Sequence, residues 1–492
     1  MTLKEYKTRA LKAVLFLVLM TQPGQNFIRC QTSANDSNDP EQLLTELKSW
    51  ITNQVTAGRV ANLNDYPRLN EYPGKKDKLK AVVLPSDFIR SLIKQPRDPE
   101  KDFSGIHIQN VNIDGLTLRG ADISSDINLS YCHFYKPVDL SQSKFRNVTL
   151  EGSEFHEQVK FDFSTIEENL SIQSAKFLSS QIADFSGMEV RGNLSLTGSF
   201  FAGSLWLQGS KIKQNLDLKG TQFPNKEAIA KLQNTTIEGD LVLTGIEKKP
   251  TIFESEVTFE DAKIGGALKT SIWTSFKNTK EPPRFSHMKV GTAELYAESF
   301  AGSPKIDGMT YDNWAHTNQQ ELLKLLDVLD KAVYSPQAYA TAENFLKSNG
   351  EPALADEVFI RQKIRERAAL NWFSRQWNRF MRVFVGYGRQ PWLAFIWWLV
   401  VIALGTLVFF RKNGMSLSDK RNVGQESTFY YNPFWYSLDL FAPVIDLGIA
   451  KSWEPGPGHS HPRFARQYAH IQKILGWVLV PIGVAALTGY LK

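Results

Sequence analysis

Between about residues 105 and 225 apolar side chains return with a half-turn unit of about eleven residues, and they fall into two columns. One column runs Leu118, Leu129, Leu140, Leu150, Phe161, Ile172 and, after a short slip, Leu196, Leu207, Leu218; the other runs Ile123, Phe134, Phe145, Phe155, Ile166, Phe177 and then Phe201, Ile212, Phe223. Within a unit the order is apolar, polar, apolar, as in Leu194-Ser195-Leu196, Leu205-Trp206-Leu207 and Leu216-Asp217-Leu218. Alternation over so few residues predicts a short strand with one inward face. A strand of that length cannot bury its face alone, so copies must stack, and the pattern predicts a β-solenoid with ladders of Leu, Ile and Phe inside. Gly192, Gly198, Gly203, Gly209 and Gly220 fall between strands, where a left-handed backbone or a close approach is needed. The repeat loosens but continues through Ile237–Leu243, Val257–Phe259, Ile264–Leu268 and Leu295–Phe300, which sets the solenoid at 105–310 behind a helical or irregular cap at 35–104.

After Tyr311 the period changes. Gln320 to Val333 carries a helical apolar stripe, Tyr334-Ser335-Pro336 breaks it, a second helix runs to Lys347 and Asn349-Gly350, and a third starts near Pro352. These form a helical hairpin and a basic juxtamembrane helix over 311–390. Pro391 to Phe410 is twenty residues without a charge, about 30 Å as a helix, and predicts a first transmembrane helix at 391–410. Ile474 to Tyr490 is again uncharged and rich in Gly and Pro, with a small-residue face at Ala485 and Gly489, and predicts a second at 474–490. The loop between them spans 411–473.

Charge sharpens this picture. The net charge is +6, yet Arg361, Lys363, Arg365, Arg367, Arg375, Arg379, Arg382 and Arg389 face one acid, Glu366, in a stretch that runs into the apolar segment. Anionic lipid head groups, not nucleic acid, are the partner expected for such a cluster. Two cysteines, Cys30 and Cys132, make neither a disulfide framework nor a cysteine metal site. At the N-terminus Lys4, Lys7, Arg9 and Lys12 precede a short apolar core, Ala13 to Met20, so 1–34 reads as a signal-like segment.

The solenoid columns, with Ala121-Asp122-Ile123, resemble the pentapeptide-repeat proteins, and that resemblance implies a right-handed, four-sided β-helix; units of ten or eleven residues put its regular square section in doubt. Residues 432–448 read as a half-length aromatic helix stopped at Pro443 and followed by an extended strip. Helix, half-helix, strip, helix resembles the pore module of two-transmembrane potassium channels, with Phe434 to Phe441 as pore helix and Val444 to Gly448 as filter. Trp435, Tyr436, Ser437, Asp439, Asp446 and Gly448 are the pore-like positions. One glycine and a central acid depart from the carbonyl-rich potassium filter, so a ring of Asp446 in a homo-oligomer implies cation preference without potassium selectivity. Gly386-Tyr387-Gly388-Arg389 resembles the entry to such a pore, and Tyr334-Ser335-Pro336-Gln337 with Tyr436-Ser437-Leu438-Asp439 is similar to a bacterial family of pentapeptide-repeat membrane proteins.

No dinucleotide fingerprint, phosphate loop or nucleophile elbow occurs, and no cofactor is called for. His459, His461 and His470 read as loop histidines before metal ligands. Two functions compete. One is a membrane-anchored solenoid that binds or senses a protein or polysaccharide, with a pore-like module that conducts or merely seals. The other is a membrane-tethered enzyme using the solenoid's outer groove, with acids such as Glu167, Glu168 and Asp184 or a sugar-stacking Trp206. For orientation the signal-like segment favours an extracytoplasmic solenoid on a bacterial inner membrane, while the basic cluster favours the reverse.

Overall fold

The computed structural model describes residues 40–67, 81–95, 105–315, 319–417, 431–442 and 446–488. The signal-like 1–34 and the strip residues Pro443, Val444 and Ile445 lie outside them. The apolar columns become the inner walls of a parallel β-solenoid of about nine turns. One turn reads Lys144–Phe145, Val148–Thr149, Glu154–Phe155, Val159–Lys160, after which Thr165–Ile166 pairs in parallel with Lys144–Phe145. Each turn therefore carries four two-residue strands, and the section has four strand-bearing sides although the repeat unit is longer than five residues. Each of the two sequence columns alternates between opposite walls, because its eleven-residue unit is half a turn.

The walls are ladders. Phe134, Phe155, Phe177, Phe201, Phe223, Phe253, Phe276 and Phe300 stack in succession with centroids 4.5–5.3 Å apart. That spacing is the rung distance of a β-sheet, so parallel pairing in register places ring over ring. The Leu column is as well buried, with Leu207 and Leu218 fully inaccessible. A second ladder is polar. Ser143, Ser153, Ser199, Ser210 and Thr235 are buried, and each hydroxyl donates to a carbonyl of the preceding turn at 2.6–2.9 Å. These hydroxyls sit just past corners whose backbone is left-handed, such as Gly198 and Gly209, and tie each corner to a carbonyl of the turn before it. Gly203 answers to a different need: a Cβ there would lie 2.1 Å from the Gln181 carbonyl oxygen.

Both ends of the solenoid are covered, as open sheet edges require. At the first turn, helix α1, Pro40–Thr56, buries Leu43, Leu47, Ile51 and Val55, and helix α2, Ser86–Lys94, buries Ile89, Leu92 and Ile93. At the last, helices α3, Gln319–Lys331, α4, Pro336–Ser348, and α5, Pro352–Glu366, close the barrel end with Leu325, Leu329, Tyr339 and Val358. The Ser335 hydroxyl caps α4 by accepting from the Ala338 N–H. A single apolar core runs from Leu43 to Val358, so the solenoid and its caps are one body.

Beyond it lie α6, Trp372–Val385, α7, Trp392–Val408, α8, Pro433–Phe441, the single turn α9, Ile449–Ser452, and α10, Pro462–Leu487. Helix α10 is long and apolar enough to cross a membrane. Helix α7, at 17 residues, meets that length only jointly with the α6 segment, from which it bends by 118°. The small residues of α10 that are buried against neighbours are Ala465, Ala469, Gly476, Gly483 and Ala486, whereas Ala485 is half-buried and Gly489 lies outside the described residues.

Candidate functional site

The half-helix α8 starts where Asn432 accepts from the Phe434 and Trp435 N–H groups, with Pro433 at its first turn. It then wedges between α7 and α10, joined by a buried polar knot. The Ser437 hydroxyl donates to the Ile402 carbonyl at 2.8 Å, and the Gln472 Nε2 amide donates to the Ser437 carbonyl at 3.0 Å and to its hydroxyl oxygen at 2.7 Å. Gly405 makes room for both, since a Cβ there would meet Ser437 Oγ at 2.3 Å and Gln472 Oε1 at 2.5 Å. Gly476 does the same at the far end, where a Cβ would lie 1.8 Å from the Phe441 carbonyl oxygen. Tyr436 is buried against Phe409, while Trp435 is exposed.

Beyond the half-helix the described chain resumes at Asp446 and is tied back to it. Asp439 accepts from the Leu447 N–H at 2.8 Å and the Ala450 N–H at 2.7 Å, folding the segment back onto α8. Gly448 takes a left-handed conformation, φ 73°, and starts α9. Asp446 forms an ion pair with Lys451 and accepts from the Gly448 N–H, and both side chains are solvent-exposed. Of the expected strip from Val444 to Gly448, Val444 and Ile445 lie outside the described residues, and at its described end Asp439, eight residues before Leu447, holds the backbone against α8.

The eight basic residues do not make one surface. Arg361 pairs with Asp330 and Glu357, and Lys363 with Glu366. Arg365 caps α3 by donating to the Leu329 and Ala332 carbonyls at 2.6 and 2.8 Å, and Arg367 donates to Asn378 and to the Tyr387 hydroxyl. Arg389 is largely buried, with 11% of its side chain exposed, and is bound to Glu343 and Asp356 with its guanidinium over Phe359. What remains is α6, where Arg375, Arg379 and Arg382 share a helix with exposed Trp372, Phe373 and Trp377. That combination is an amphipathic surface helix. Exposed Phe395, Leu399, Leu404 and Leu407 on α7 and Ile474 and Trp477 on α10 continue the apolar surface.

On the solenoid, two of the acids considered for glycoside cleavage are engaged between turns, while Asp184 accepts from the Ser186 N–H within its own turn. Glu167 pairs with Lys144 and Arg191, and the Lys144 ammonium holds its carboxyl below the usual range; Glu168 pairs with Arg146. Trp206 is half-buried under Lys231, 4.5 Å from the ring centroid. A groove of about 450 Å³ opens on one wall, lined by Lys176, Leu178, Phe200, Gln222 and Lys249 among others, with no carboxylate in its lining. Paired carboxylates at a cleft, the requirement for glycoside hydrolysis, are therefore not found there.

The loop histidine His459 is held at both nitrogens: Nε2 is 3.0 Å from the Val408 carbonyl and Nδ1 accepts from the His461 N–H. The histidines that converge are His133 and His156, on adjacent turns, with Glu154 between them. Sequence reasoning passed over them. A spacing of one full turn, twice the half-turn unit, was the signal that could have found the pair. No protein-family model matches the chain, and neither a curated protein nor a solved structure matches it.

Proposed function

We propose that the chain is a membrane-anchored scaffold: a rigid β-solenoid of pentapeptide-repeat type that binds a protein or polymer ligand, fixed to a two-span helical module in which α8 is a re-entrant half-helix. The observation that carries this reading is the buried Arg389 cluster. It ties the start of α7 to α4 and α5, which share the solenoid's core, so a ligand bound on the solenoid acts on a body continuous with the membrane helices. The exposed apolar side chains of α7 and α10 and the amphipathic α6 at their edge support burial of that module in a bilayer. An extracytoplasmic solenoid agrees with the signal-like N-terminus, and the internal pairing of Arg361, Lys363 and Arg389 leaves α6 as the main basic contact with lipid.

A second reading, a cation pore, is favoured by one observation, the wedging of a half-helix between two apolar helices in the order of two-helix pores. In the scaffold reading α8 seals the bundle, with Asp439 holding the following turn and Lys451 neutralising Asp446. Planar bilayers containing the purified chain in a KCl gradient separate the two. The scaffold predicts no conductance. A cation-selective current that falls in Asp446→Asn establishes the pore instead.

A further inference from the structure

His133, Glu154 and His156 present one ligand atom each, all within 4.8 Å of one another, on a wall of the solenoid. Stacking of turns creates this cluster. His133 lies directly across the parallel ladder from Glu154, and His156 follows Glu154 by two residues, so both side chains of that turn leave the same face. The His133 Nδ1 is 3.2 Å from Glu154 Oε2, close to the ~3.3 Å separation of two ligands on a tetrahedral ion with 2.0–2.1 Å bonds. The third ligand closes in by a small rotation about the broad χ2 well of imidazole.

Two further observations point to a ligand. The His156 Nε2 is buried yet has no hydrogen-bond partner, an arrangement that leaves a desolvated nitrogen unsatisfied. The Tyr135 ring stacks on the imidazole, centroids 4.9 Å apart and planes 18° from parallel, and backs one face of it. The cluster stays reachable from the other side, because the His133 side chain is 42% exposed.

We propose that His133, Glu154 and His156 bind a divalent transition metal of the zinc class. Two imidazoles and a carboxylate suit zinc and its spectroscopic stand-in cobalt, and three protein ligands leave a coordination position open. Glu154 uses Oε2 for the metal. Its Oε1 is held by the Lys176 ammonium at 2.7 Å, which orients the carboxylate but also places a positive charge beside the ion. Lys176 also lines the groove described above, so the cluster neighbours that groove.

The test is a Co²⁺ titration of the full chain in detergent, carrying no polyhistidine tag, followed by visible absorption and then by displacement with Zn²⁺. One Co²⁺ per chain with a ligand-field band is expected. His133→Gln and His156→Gln should each weaken binding at least about tenfold with unchanged circular dichroism, and Lys176→Met should tighten it by up to about tenfold by removing the adjacent charge. His459→Gln with His461→Gln should leave the titration unchanged. Absence of a band in the wild-type chain, or equal binding by the folded His133→Gln/His156→Gln double variant, overturns the assignment.

Discussion

Arg389, at the threshold of α7, and Glu343, in the middle of α4, meet at 2.6 Å across 46 residues of sequence, with about a tenth of each side chain exposed. Removing one partner of such a pair leaves an uncompensated buried charge. Arg389→Ala should therefore destabilise the junction by about 3 kcal/mol, the low end of the usual cost, because Lys347 also reaches Glu343. Limited proteolysis should then cut between α5 and α7 while the solenoid stays resistant. Unchanged resistance in the Ala variant contradicts a rigid junction.

The Phe ladder makes a sharper contrast. Phe201 is fully buried with Phe177 at 4.5 Å and Phe223 at 4.8 Å, so Phe201→Ala should cost about 3–5 kcal/mol. Phe163 is 66% exposed at a left-handed corner, and Phe163→Asn, which suits that backbone, should change stability by less than about 0.5 kcal/mol. Thermal unfolding of the two variants, followed by circular dichroism, measures the difference. Equal losses contradict the inward assignment.

Cys132 tests the dryness of the same core. Its thiol is buried and pushed up to about 12 by desolvation, so almost none is thiolate at neutral pH. Maleimide should not label it in the native chain and should label it on unfolding. A thiol kept neutral by folding contributes stability below its ordinary pKa near 9 and loses that contribution as pH rises towards 12. Cys132→Ala should accordingly flatten the alkaline limb of the stability profile.

Two glycines let α8 pack closely in the C-terminal module. Gly476→Ala drives a methyl into the Phe441 carbonyl, and Gly405→Ala into the Ser437–Gln472 knot. Each should cost about 1–3 kcal/mol or expel α8 from its wedge. A cysteine placed at Trp435 reports the second outcome as a change in labelling rate.

The solenoid was legible because its signal is a period, and a period survives variation at any one site. Phe134 to Phe223 fall in register, whereas Phe253 and Phe276 were not placed because an insertion around Ile246–Lys249 stretches the spacing from Phe223 to Phe253 to 30 residues. The buried hydroxyl ladder was not legible: Ser153 or Ser199 in isolation looks like an ordinary turn residue, and only the stacked carbonyl of the previous turn reveals its role. The His133–Glu154–His156 cluster escaped for the same reason, since its members meet through coil stacking. In the C-terminal module the half-helix at 434–441 was readable from its length and the stop at Pro443, but the hold of Asp439 on the Leu447 and Ala450 N–H groups was not, because a capping carboxylate and a pore-lining one look alike in sequence.

The most direct test of the anchored-scaffold account is the topology of the C-terminal module. A reporter active on one side of the membrane, fused after Lys492 and separately inserted within 418–425, reads the two ends of the span pair. Two crossings, by α7 and α10, predict that the 492 fusion lies on the solenoid's side and the 418–425 insertion on the opposite side. Both reporters on the same side as the solenoid, or release of the full chain from membranes by alkaline carbonate, would contradict it.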